Sequence, residues 1–402
     1  MIMLELARNC VLWSADVAPV LDSDAPHMKR SRRERGNLVN GNEQGGTVGS
    51  STADEVDVVL GGPIFLDIVF TDLPAAPAAG TEVWAGGMGT MPGGIANLAV
   101  ATSRMGLKTR LVTQFGDDDY GRWLEKVLGE QEQIDLSRAR IAHGEHTVVT
   151  VSMAYDGDRA MVTHGHPERM PIRDLIGDVS PSTALVGELA NPAEEPWWLG
   201  PAIAGSAMFA EVGWDDAGLW DPVVLEGLEY CHGFMPNHLE AMNYTRTSSP
   251  QAALSALADR VPLAVVTRGA DGAMAVDSIT GEAADVPALA VKAIDPTGAG
   301  DVFSSAIVLG TRQGWPLEQR LRFANLCSSL AVQRRGGSLG APGWTDIESW
   351  WAETRRRARS SPEAGERALR YGFIADLLAD RKFRAHSQAP ATIGSHTESC
   401  RT

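Results

Sequence analysis

Beyond residue 55 the chain alternates short apolar runs with amphipathic stretches. VDVVLGG (56–62) predicts a buried strand ending in glycines, ANLAVATSRMG (96–106) a helix closed by Gly106, and TRLVTQFG (109–116) a strand closed by Gly116. YGRWLEKVLGEQ (120–131) is helical in pattern, VVTVSMAY (148–155) a strand, and SPQAALSALADR (249–260) a helix before the strand PLAVVTRG (262–269). Such alternation implies an α/β fold with a mainly parallel sheet, helices on both faces, and ligands gathered at the carboxyl ends of the strands. DIVFTDLP (67–74), GTEVWAGG (80–87) and VVTVSMAYDGDRAMVTH (148–164) break the rhythm and predict extended pairs outside that sheet, a small antiparallel β lid.

Both ends read differently. Residues 1–54 hold the basic run MKRSRRERG and a polar, Gly-rich stretch without apolar periodicity, the pattern of a disordered extension; Met28 is an alternative start. Residues 55–355 carry the folded domain. Residues 356–402 read as a charged linker within ETRRRARSSPEAGER, a short amphipathic helix in ALRYGFIADLLADRKF and a polar tail.

Composition adds limits. The chain has 402 residues, 44% of them hydrophobic, enough for a large core. A net charge of −16 argues against a sequence-independent hold on nucleic acid or an anionic membrane. Cys10, Cys231, Cys327 and Cys400 are far apart, without metal or redox spacing, and no apolar run is long enough for a membrane span, so a cytoplasmic protein is expected. His143 with His146, and His164 with His166, lack a completing carboxylate or cysteine pattern and read as loop histidines. Trp197, Trp198, Trp214 and Trp220 read as packing residues.

DPTGAGD (295–301) carries the chemistry. Its small residues leave backbone N–H groups bare, and VFSSAIVLGTRQG (302–314) reads as a helix whose N-terminus favours an anion. A P-loop is excluded because none of the five lysines follows a glycine. A dinucleotide fingerprint fails at Phe303, where a small residue is needed, and no HRD segment supports a protein kinase. A carboxylate beside an anion hole remains, the arrangement for phosphoryl transfer to a hydroxyl.

On these residues the chain resembles the ribokinase-like (pfkB) carbohydrate kinase family from about residue 55 to about residue 355. DPTGAGDVFSSAIV matches the C-terminal signature of that family, and GGIANLAVATSRMG with Gly116 resembles the N-terminal one, with Ile95 where a small residue is usual. GPIFLD, GDDDYG, NHLE, TRGADG and FANLCSSLAVQRRGG follow in collinear order. The resemblance implies Asp301 as general base, with the N–H groups of Gly298, Ala299 and Gly300 receiving the phosphoryl charge. It implies Asp67, Gly93, Gly94 and Asn97 on the acceptor side, and Asn237, Thr267, Gly269, Gly272 and Asn325 around ATP. Glu240 resembles the residue that organises Mg2+ through water. Asp295, Thr297, Ala331, Arg334 and Gly336 fall where some members bind a monovalent cation such as K+, and Gly340 departs from that pattern.

The implied activity is ATP-dependent phosphorylation of a small sugar. AMFAEVGWDDAGLW (207–220) carries acids where fructokinase-like members tend to carry an arginine, which favours a neutral acceptor. A nucleoside, stacked on an aromatic such as Trp84, is the alternative; a non-catalytic sensor of sugar or nucleotide is the alternative from another class. Expected partners are the sugar and ATP, with no nucleic acid or membrane, and a second copy across the lid.

Overall fold

The structure, a computed structural model, describes residues 55–155, 158–166, 170–213, 215, 217–334, 336–380, 388–389 and 394–395. The N-terminal extension with its basic run, Cys10, Cys400, Trp214 and most of the polar tail lie outside the described residues.

Among the described residues fifteen strands form three sheets. The central sheet has the order β14-β13-β12-β11-β10-β9-β1-β4, built from β1 (Val58–Gly61), β4 (Thr109–Val112), β9 (Ala184–Glu188), β10 (Ala207–Glu211), β11 (Gly233–Phe234), β12 (Leu263–Thr267), β13 (Ala273–Asp277) and β14 (Glu282–Val286). All pairs from β4 to β12 are parallel, and only β13 and β14 run antiparallel at one edge. The lid has the order β15-β3-β2-β7-β8, from β2 (Ile64–Thr71), β3 (Gly87–Gly94), β7 (Val149–Tyr155), β8 (Asp158–His164) and β15 (Gly394–Ser395). A short pair, β5 (Gln114–Gly116) and β6 (Arg140–Ala142), completes the set.

The helices are α1 (Ala96–Arg104), α2 (Asp119–Glu125), α3 (Ile172–Leu175), α4 (Leu199–Ile203), α5 (His238–Thr245), α6 (Pro250–Ala258), α7 (Ala299–Arg312), α8 (Leu317–Ala331), α9 (Trp344–Arg357), α10 (Pro362–Arg370) and α11 (Phe373–Ala379). One buried cluster joins β1 and the lid's base to α1, α7 and α8; a second covers the opposite sheet face with α5 and α6. Strands buried on both faces explain the continuous apolar runs in β1, β9 and β12.

Four predicted elements are corrected. GTEVWAGG is not a strand: pairing starts only at Gly87 and continues through Gly94, so the lid strand is GMGTMPGG. Its glycines and Pro92 are poor strand formers, and full pairing with β2 overrides that propensity. TRLVTQFG is broken at Thr113, its halves entering different sheets. The charged stretch 353–367 is helical on both sides, because α9 runs to Arg357 and α10 starts at Pro362, and the expected single short helix breaks at Tyr371 and Gly372. Buried Tyr371 and Ile374 dock this end on the core.

Candidate active site

Gly298, with φ 75°, caps the N-terminus of α7 in a left-handed conformation that a side chain would resist. Asp301 lies in the first turn, where its carboxylate accepts its own backbone N–H and a hydrogen bond from Asn97, the second residue of α1. The Ala299 N–H closes a turn onto the Pro296 carbonyl at 3.2 Å. Among the described residues the N–H groups of Gly298 and Gly300 have no backbone partner, so these two face an incoming anion most directly. A Cβ at Gly300 would meet open space, so here the missing side chain keeps the approach clear.

Burial raises the Asp301 carboxyl above the ordinary carboxylate range, and the Asn97 amide counteracts that shift. Glu211, at the carboxyl end of β10, is raised too, by burial first and by the charge of Asp301 next, while a hydrogen bond from Ser304 opposes the shift. The charge of Glu240 adds to it. Asp301 on α7 and Glu240 on α5 thus both lie close enough to Glu211 on β10 for their charges to act on it. Sequence reasoning missed Glu211, one acid among several in its segment.

On the acceptor side, a Cβ at Gly93 would stand 2.1 Å from Asp67 Oδ2. The absent side chain is the space that the carboxylate occupies. Gly94 has φ 61°, and its Cβ would lie 2.5 Å from the Pro63 carbonyl. Ile95 fits because its N–H bonds Pro63 O at 3.1 Å while its side chain packs on Gly62. Asn97 donates to Asp301, yet its Oδ1 is buried with no partner. Such an atom is costly unless a ligand hydroxyl meets it.

On the other flank, Asn237 and Glu240 form a capping box on α5: Asn237 Oδ1 accepts from Leu239 N and Glu240 N, and Glu240 Oε2 accepts from Asn237 N at 2.8 Å. Thr267 ends β12 beside Asn237. Gly269 and Gly272 take φ 57° and 86°, and a Cβ at Gly272 would strike Val286 O at 2.1 Å. Asn325, 4% exposed, donates to that same Val286 O at 3.1 Å and to Pro287 O at 3.4 Å. It fixes the loop after β14.

The cation-site residues do gather. Asp295 accepts from Thr297 N at 2.9 Å and Gly336 N at 3.2 Å, and its N–H reaches Val332 O. Arg334 N donates to Ala331 O and its guanidinium pairs with Asp346, while Gly340 packs against Ala331 and Arg334. The two histidine pairs, remote in sequence, also meet: the His166 ring lies tilted to His146 at 6.1 Å between centroids and edge-on to His164 at 5.7 Å, beside Glu145 and Asp118. Among the described residues no three His, Cys, Asp or Glu side chains surround a point as metal ligands would. Trp198 and Trp220 are core residues; Trp197 lies across Gly61 and Gly187 at the strand ends. No described helix is long and apolar enough to cross a membrane.

Comparison with known proteins places this geometry. The profile of the pfkB family carbohydrate kinases matches residues 66–174 and 204–344, more than half the chain. Ribokinase of Bacillus subtilis is 28% identical over 305 residues, covering 71% of this chain and 96% of its own. Among solved structures, Arabidopsis thaliana ribokinase complexed with ribose and ATP aligns with a TM-score of 0.62 at 22% identity, over 73% of this chain and 98% of its own. A protein assigned as ribokinase II from E. coli, in complex with ATP and Mg2+, aligns with a TM-score of 0.62 at 21% identity, over 74% of this chain and 100% of its own.

Proposed function

The chain belongs to the pfkB family of carbohydrate kinases, and on that premise we propose that it transfers the γ-phosphoryl group of ATP to a hydroxyl of a small neutral sugar. The observation that carries this reading is Asp301: a carboxylate on the first turn of α7, bonded by Asn97, beside the N–H groups of Gly298 and Gly300. Ionised Asp301 takes the proton from the acceptor hydroxyl as the oxygen attacks phosphorus. The glycine N–H groups receive charge on the transferring group without reorganisation, because the turn already holds them. Asp67 and Asn97 Oδ1 accept hydrogen bonds from the sugar and set the attacking oxygen beside Asp301. Mg2+, when bound, neutralises phosphate charge, and the fixed Glu240 carboxylate with Glu211 supplies the acidic wall that would hold its waters. The loop of Asp295, Thr297, Ala331, Arg334 and Gly336 is the K+ candidate, acting through the turn that presents Gly298. Thr267, Gly269 and Gly272 would border the nucleotide, with Asn325 supporting their loop.

A nucleoside acceptor is the second reading, favoured by Trp84, 73% exposed just before β3. An assay of ADP release over pentoses, hexoses and nucleosides, with Mg2+ and with or without K+, tests both. Turnover of a free sugar above every nucleoside is expected. ADP release only with nucleosides would establish the second reading, and none with any acceptor would leave a sensor.

A further inference from the structure

Register fixes which lid residues share a face. Asp67 pairs with Met91 on one side and Thr150 on the other, and Thr150 pairs with Thr163, so these four side chains form one transverse row. One rung along, Gly89, Val69, Ser152 and Met161 form the next row on the same face. This face looks at the catalytic loop: Val69, Gly89 and Met91 line a small cavity together with Asp295 and Gly336. Asp67 leans over Gly93 on the same side. The row beyond it is polar. Thr150 is 9% exposed and Ser152 8%, values that suit apolar side chains better than hydroxyls in an interior strand of a sheet.

The chemistry of the row is specific. Thr150 and Thr163 hydroxyls lie 3.0 Å apart, and one proton serves that bond. The pair keeps a second proton to donate outward. Asp67, one strand away, can only accept when ionised. A carboxylate acceptor and a hydroxyl donor on adjacent strands, about 5 Å apart, match two neighbouring hydroxyls of one ring, the first donating to Asp67 and the second accepting from Thr150. None of the described side chains in the two rows is cationic, so nothing there would pair with a phosphorylated or acidic sugar.

We propose that Thr150 and Ser152 select the acceptor, and that the group they recognise with Asp67 is the vicinal diol of an uncharged sugar ring. The inference rests on the kinase reading and deepens it. Thr150→Val keeps shape and removes the donor; Ser152→Ala deletes one atom on the next rung. ADP release is measured for the wild type and both variants with D-ribose, D-fructose and the monodeoxy forms of whichever is phosphorylated, alongside melting curves. Thr150→Val should raise the acceptor KM about tenfold and Ser152→Ala about threefold, with the ATP KM within about twofold of wild type. The Thr150→Val penalty should vanish on the deoxy sugar that lacks the partner hydroxyl. An unchanged acceptor KM in both folded, active variants overturns the inference and leaves the kinase intact, as does an equal penalty on every deoxy form. Wild-type protein that turns over no acceptor removes the kinase premise itself, a result that needs no variant to see.

Discussion

Asp301 and Glu211 share one patch of negative charge, and pH should expose it. Proton abstraction needs ionised Asp301, whose carboxyl burial holds above the ordinary value of about 4. Activity should therefore fall on acidification at a pH above the usual carboxylate range. Glu211 is pushed higher still, to about 8, so it is already neutral where Asp301 takes up its proton, and Glu211→Gln, which keeps a bond to Ser304, should leave the acid limb of kcat/KM in place. The sign for stability follows from the same shift: an acid raised by folding favours the native state below its unfolded pKa and loses that advantage as pH rises through the folded one. Melting curves should thus show Glu211→Gln gaining on the wild type as pH increases toward about 8, and melting profiles of the two that superimpose at every pH would contradict the shift. That Asp301 opens a helix behind small residues was legible, since DPTGAGD and the apolar run after it are local. Glu211 was not, since only the fold brings the end of β10 under α7.

At the scale of elements, β3 shows where local pattern misleads. GMGTMPGG has no alternation and little strand propensity, yet β2 pairs with it along its whole length, and Ser338 Oγ donates to Pro92 O at 2.6 Å. Its glycines answer to neighbours. Gly93→Ala would push a methyl group into the Asp67 carboxylate, so the acceptor KM should rise about tenfold or more while the ATP KM holds. Equal changes in both would show a general disturbance. NHLE, quoted for its match to the family, is at the same time a capping box on α5. Asn237→Ala should cost about 1 kcal/mol in unfolding free energy, read from denaturant melts, whatever it does to nucleotide binding. Periodicity made α1, α6 and β12 plain, because each buries one consistent set of apolar positions.

For the whole molecule, one buried ion pair ties distant segments together. Arg104 on α1 pairs with Glu132 at 2.7 Å, both almost fully buried, and also donates to Leu339 O and Ala341 O, just beyond Arg334 and Gly336 in the chain. Ala389 N–H bonds Glu132 at 2.8 Å, bringing a C-terminal residue into the knot, and β15 then adds to β3 at the lid. Arg104→Met would leave a carboxylate buried alone, at a cost of about 3–5 kcal/mol measured by chemical denaturation. None of this was readable in advance, because Arg104 and Ala389 are 285 residues apart in the chain. The kinase fold itself was readable, since its βα rhythm and its DPTGAGD turn are local. The direct test of the account is the turnover of Asp301→Asn with the best acceptor, measured beside ATP and acceptor binding and a melting curve. The account predicts a folded protein that binds both ligands while kcat falls by about 10²–10⁴; an unchanged kcat in that folded variant would contradict it.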